Sequence, residues 1–220
     1  MTLLHRIVEL QAKTITRQIT DDQAEYDFIE ELIDSTKPPI SKKDWHYLIA
    51  TPFRYPLPVG LEYSARFRPP FSERHVFYGT FELKTAEYEF GYHWLRERVH
   101  LSGLSQAIEQ RTYFTVEFND PKVVDIRNYP DISKIMDRRN YTYSHALTES
   151  IPDISSFLYP SARDPNKGDC IAAFKLENLG KKPQTSTTFE LLYIAEAKAV
   201  LFLDPSGVYP SQQVSWEQVA

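Results

Sequence analysis

The sequence predicts an α+β fold, and three observations carry that expectation. Apolar residues recur at helical spacing in the first 34 positions and again after Thr85. Strand-like runs cluster in the middle and last third of the chain. No regular strand–helix–strand alternation joins them, which separates this chain from the parallel α/β classes. With 220 residues, 42% hydrophobic and 25% charged, the chain is long enough for one soluble domain with a sizeable core.

The elements follow in order. Leu3, Leu4, Ile7, Val8, Ile15 and Ile19 fall at near-helical spacing, and Tyr26, Ile29, Leu32 and Ile33 repeat it. Thr20-Asp21-Asp22-Gln23 has the form of a capping box, and Pro38-Pro39 ends the helical stretch by removing donors and fixing φ. Residues 1–49 are therefore expected to be a helical extension packed on the domain formed by 50–220. Their apolar stripes need a covering surface, supplied by the domain or by a second copy. Residues 44–50 read as a short helix leading into a strand at Arg54. A helix from Thr85 to about His100 puts Ala86, Phe90 and Trp94 on its core side and Glu89, His93 and Arg96 on the flank. Residues 112–118 read as a strand with Tyr113, Thr115 and Glu117 opposite Phe114, Val116 and Phe118. Short strands follow at 123–125, 170–176 and 189–203, helices at 131–136 and 141–149, and turns at 159–164 and at Lys167-Gly168.

Composition excludes several function classes. A single cysteine, Cys170, rules out an internal disulfide and a multi-cysteine zinc site. No apolar run approaches the roughly 18 residues of a membrane span, and a secretory leader pattern is missing at the start, so a cytoplasmic protein is expected. A net charge of −5 argues against direct nucleic-acid binding. The chain has 7 glycines, none arranged as a phosphate-binding loop, and its histidines lack metal-ligand spacing with carboxylates.

Against this acidic background, the stretch 51–91 concentrates Arg54, Arg66 and Arg68 among aromatics and prolines, then opens a helix carrying Glu89. Guanidinium groups match phosphate oxygens, and a fixed carboxylate suits a developing positive charge. Taken singly, these residues have bland readings: a structural ion pair for Arg54 or Arg66, a core ring for Tyr78, a dipole-complementing acid for Glu89, a backbone-satisfying hydroxyl for Ser161.

Four motifs occur together in order: Arg-Phe-Arg-Pro-Pro (66–70), Val-Phe-Tyr-Gly (76–79), Thr-Ala-Glu-Tyr-Glu (85–89) and Tyr-Pro-Ser-Ala-Arg (159–163). In this the chain resembles the RES-domain family over roughly residues 50–203. Where the family pattern is Gly-Arg-Trp-Asn, this chain has Ala65-Arg66-Phe67-Arg68. The resemblance implies a fold similar to ADP-ribosyltransferase toxins, with a mixed sheet core and surrounding helices. It also implies an NAD-consuming toxin with an Xre-like antitoxin partner. Arg54, Glu89 and Ser161 would then be catalytic, and Arg54, Arg66, Tyr78 and Ser161 would bind NAD. NAD is the substrate, and no further cofactor or metal is expected. Hydrolysis, phosphorolysis and ADP-ribosyl transfer to a protein stay open, as does a catalytically silent interaction module.

Overall fold

A computed structural model describes residues 2–10, 44–54, 65–101 and 108–220, with isolated positions between 22 and 32. Its centre is one nine-stranded mixed sheet in the order β4-β5-β6-β2-β1-β3-β7-β8-β9. The strands are β1 (Thr2–Glu9), β2 (Phe77–Thr80), β3 (Ile108–Phe118), β4 (Val124–Asp125), β5 (Ser156–Pro160), β6 (Asp169–Ala173), β7 (Thr185–Ile194), β8 (Ala199–Leu203) and β9 (Gln212–Ser215). All pairings are antiparallel except β4 with β5. Five helices accompany them among the described residues: α1 (Tyr47–Arg54), α2 (Leu83–Arg96), α3 (Ile132–Ile135), α4 (Thr142–Ser150) and α5 (Trp216–Val219). The α+β class is the one the sequence predicts. None of these helices is long and apolar enough to cross a membrane.

The first element corrects the sequence reading. Residues 2–9 form a strand, not a helix, and it lies in the middle of the sheet. It pairs with β3 along its length, from Thr2 opposite Phe118 to Glu9 opposite Arg111. Leu4 joins the core on one face and Ile7 the core on the other. A strand covered on both faces need not alternate, so its apolar run fits a helical template equally well. The first 49 residues are thus not a purely helical extension. The helical expectation for residues 11–21 and most of 23–43 lies outside the described residues. Ala24, Glu25, Phe28, Ile29 and Leu32 are helical. Asp22 caps that turn, its Oδ1 accepting from the amides of Ala24 and Glu25.

Two layers cover the sheet. On one face α2 lays Ala86, Tyr88, Trp94 and Leu95 against Tyr113, Phe189, Leu191, Val200 and Phe202. On the other, Leu48 and Ile49 of α1 meet Leu4, Phe77, Phe114 and Val116. The alternation expected for β3 is therefore observed. A third cluster packs Ile135 of α3 and Leu147 of α4 against Phe67, Phe157 and Tyr159. Arg54 differs from expectation: it ends helix α1 instead of lying in a strand.

The contact between β1 and β2 positions the site. These strands pair at one position only, His5 opposite Thr80. Gly79 lets them approach, because a Cβ there would stand 3.1 Å from the Leu4 Cβ. Residues of both strands around this junction line the cleft described next.

Candidate functional site

Helix α2 forms one wall of the site through a single stripe. Thr85, Glu89 and Tyr92 recur at i, i+4 and i+7 and so point the same way. Each holds one residue of the loop that follows β5. Thr85 Oγ1 donates to Asp164 Oδ2 at 2.7 Å, and Ser161 Oγ donates to Glu89 Oε1 at 2.5 Å. The Arg163 guanidinium sits 3.3 Å over the Tyr92 ring centroid. Ser161 Oγ in turn accepts from the backbone amides of Arg163 at 3.1 Å and Asp164 at 2.9 Å, and its own amide donates to Gly168 O at 2.8 Å. The hydroxyl is fully engaged: its proton goes to Glu89 and its lone pairs to two amides. Glu89 Oε1 is thereby fixed, while Oε2 keeps no hydrogen-bond partner among the described residues.

The loop is seated so closely that Gly168 has no room for a side chain. A Cβ there would lie 2.0 Å from Thr85 Oγ1 and 2.8 Å from Asp164 Oδ2. Gly168→Ala is expected to break the Thr85–Asp164 bond and lower stability by roughly 1–3 kcal/mol, read as a shift in urea midpoint at constant m-value.

Glu89 opens onto a cleft of about 340 Å³, within the usual size range of small-molecule sites. The β1 residues His5, Arg6 and Ile7 line it, with Ala65 and Arg66, Tyr78 to Thr80 of β2, and Tyr141, Tyr159, Arg163 and Cys170. Helix α2 adds Ala86, Glu89, Phe90, His93 and Arg96. The flank expected from the helical wheel, Glu89 with His93 and Arg96, does face one space. Phe90, expected in the core, is divided between the cleft and an edge-to-face contact with Phe202.

Of the five residues singled out in the sequence, Arg66, Tyr78 and Glu89 line this cleft, and Ser161 is bonded to Glu89. Arg54 is not among the lining residues. It sits at the end of α1, whose apolar side packs on the Leu176 and Leu179 region. Arg66 is held from behind, its Nη1 donating to Ile135 O at 2.8 Å and Asp137 O at 2.9 Å. Its guanidinium lies 4.9 Å from the Tyr141 ring centroid, and Nε and Nη2 remain for the cleft. The Tyr78 hydroxyl accepts from the Phe67 amide at 3.2 Å, and burial pushes its pKa up to about 12. Cys170 is a buried thiol whose pKa burial also pushes well up, so no thiolate nucleophile is offered here.

Sequence reasoning missed two cleft cations. Arg6 lies in a segment whose apolar spacing reads as helix but which forms strand β1. It lies over the Phe77 ring at 4.3 Å, and Nη1 has no hydrogen-bond partner among the described residues. Burial lowers its pKa to about 10, which still leaves it charged at neutral pH. Arg163 stood inside the Tyr-Pro-Ser-Ala-Arg motif, but its role was not legible there. Buried cations without a paired carboxylate are costly. Gathering Arg6, Arg66, Arg96 and Arg163 around one cleft in a chain of net charge −5 suits an anionic ligand.

The neighbouring acid Glu87 points elsewhere. It is 3% exposed, Oε1 has no hydrogen-bond partner among the described residues, and it is near Tyr113 in the core. Burial pushes its pKa from 4.5 up to about 8, partly offset by Lys84. The folded state therefore holds this proton more tightly than the unfolded chain, and stability falls as pH rises between those two values. Wild type should lose stability relative to Glu87→Gln across this window, with a steepest slope of about 1.4 kcal/mol per pH unit. Urea melts of both proteins at several pH values between 5 and 8.5 check it; parallel curves contradict it.

Comparison with curated proteins finds no matching relative. The family model of the RES domain matches residues 39–193, which contain the helix-α2 stripe, Tyr78 and the loop bearing Ser161. With that match over more than half of its length, the chain belongs to the RES-domain family, whose roles are NAD-related and tied to toxin–antitoxin systems.

Proposed function

We propose that this protein is an NAD-degrading enzyme that cleaves the nicotinamide–ribose bond, as a glycohydrolase or phosphorylase. In this reading it is the cytoplasmic toxin of a bacterial pair whose antitoxin is an Xre-like protein. The observation that carries the reading is the Glu89 carboxylate, pinned through one oxygen by Ser161 and open through the other to a cation-lined cleft. As the bond from ribose C1′ to the nicotinamide nitrogen breaks, its electron pair returns to the cationic ring, which leaves neutral. No strong general acid is needed. Positive charge grows on the ribose, and Glu89 Oε2 stabilises it where it develops. An oxygen of water or phosphate then bonds to C1′, and the attacking group's proton passes to solvent. Arg6 and Arg66 hold the pyrophosphate, and Tyr78 provides a ring surface for nicotinamide. NAD is the substrate, and the reading calls for no other cofactor.

Incubating the purified protein with NAD, with and without phosphate, tests this. Free nicotinamide with ADP-ribose, or with its phosphorylated form when phosphate is present, is the expected result. NAD left intact, or ADP-ribose recovered only on a target protein, would falsify it.

A further inference from the structure

The family match ends at residue 193, yet a later segment reaches the site. Strand β9 returns the chain to α2, and Ser215 and Gln218 cap the short helix α5 with reciprocal bonds. At its C-terminal end, Val219 O accepts from Arg163 Nη1 at 2.8 Å, and the following Ala220 O accepts from Arg138 Nη1 at 2.5 Å. The two arginines also lock each other's segments: Arg163 Nη2 donates to Arg138 O at 2.6 Å, and Arg138 Nε to Ala162 O at 2.8 Å. Trp216 lies parallel to Tyr92, ring centroids 5.7 Å apart, on the same ring that carries Arg163.

We propose that Trp216–Ala220 is a working support of the cleft, behind its lining, and that Arg163 is a positioning residue through which it acts. The clasp fixes the Arg163 backbone, whose amide donates to Ser161 Oγ; Ser161 in turn holds Glu89 Oε1. Arg163 is 2% exposed, and its side-chain hydrogen bonds among the described residues go to backbone carbonyls. For filling space alone, an apolar side chain there would be cheaper. A guanidinium bridging a ring and two carbonyls instead holds three chain segments in one geometry, which is what an oriented carboxylate requires. The proposal rests on the assignment of Glu89 and Ser161 to NAD cleavage.

Trp216 supplies the test because it stands outside the cleft lining. Trp216→Leu is expected to lower kcat roughly tenfold or more with KM within about twofold, because positioning acts on the transition state while the binding contacts persist. Trp216→Phe keeps a stacking ring and should restore most of the rate. In a Ser161→Ala background, Trp216→Leu should add little, since the route to Glu89 is already cut. A full multiplicative loss in that background, or a change confined to KM, overturns the proposal. Hydrogen exchange at the amides of Arg163 and Asp164 gives a readout independent of turnover. Both should exchange roughly tenfold faster or more in Trp216→Leu while β3 and β7 amides keep their rates. Gln218→Ala, which removes one arm of the α5 cap, should move the same two amides more mildly and serves if the Trp216 variant does not fold. Unchanged exchange overturns the clasp whatever the activity, whereas a wild type that leaves NAD intact sinks only the functional reading beneath it.

Discussion

Glu89→Gln is expected to lose about a hundredfold or more in kcat for NAD cleavage, equivalent to about 2.7 kcal/mol or above. The substitution keeps the size of the side chain and an oxygen that Ser161 can bond, but removes the negative charge opposite the developing ribose cation. NAD affinity should change far less, because the ground-state ribose gives that charge little to act on. The matched control is Glu87→Gln, two residues away on the same helix but in the core beside Tyr113. It should retain turnover and differ mainly in its pH–stability profile. A dead Glu87 variant beside an active Glu89 variant would reverse the assignment. In bacteria, growth arrest by the wild type without antitoxin should disappear with Glu89→Gln and persist with Glu87→Gln.

Arg6→Met should separate binding from stability. Losing a charge-assisted contact to pyrophosphate should weaken NAD binding by roughly 1.5–3 kcal/mol, about tenfold to a hundredfold in Kd. The folded protein should nevertheless become more stable, because the substitution removes a buried cation whose Nη1 has no partner among the described residues. Methionine puts a flexible apolar side chain where the guanidinium now lies over the Phe77 ring. Titration calorimetry and thermal melts on the same preparation read both effects. Unchanged affinity would remove Arg6 from the ligand site, and a lower melting temperature would show that its charge is compensated.

Much of the fold and site was legible because the relevant signals are local. The alternation along β3, with Phe114 and Val116 opposite Tyr113, needs only the two-residue period of a strand. The flank of α2 bearing Glu89, His93 and Arg96 needs only the helical period. Arg66, Tyr78, Glu89 and Ser161 stood out together only through the ordered motifs, since each alone has a common structural reading. The misreadings share another cause. β1 is covered on both faces and loses its alternation, so the segment holding His5 and Arg6 reads as helix and gives no sign that it borders the cleft. Arg54 drew attention as a cation in an apolar run, but Tyr47–Arg54 folds as a helix whose apolar side covers the Leu176 and Leu179 region.

The sequence by itself thus determined the α+β class, the family and the periodic elements that carry Glu89. Those properties follow from side-chain period and residue order, which act within a few turns or strand residues. The tertiary structure decided which cations share the cleft, that Ser161 serves Glu89, and that residues 216–220 reach Arg163. Each of these joins positions far apart in the chain, such as Arg163 with Val219 or Arg6 with Tyr78. Such meetings depend on strand order and on which faces the sheet buries, quantities that no local period encodes.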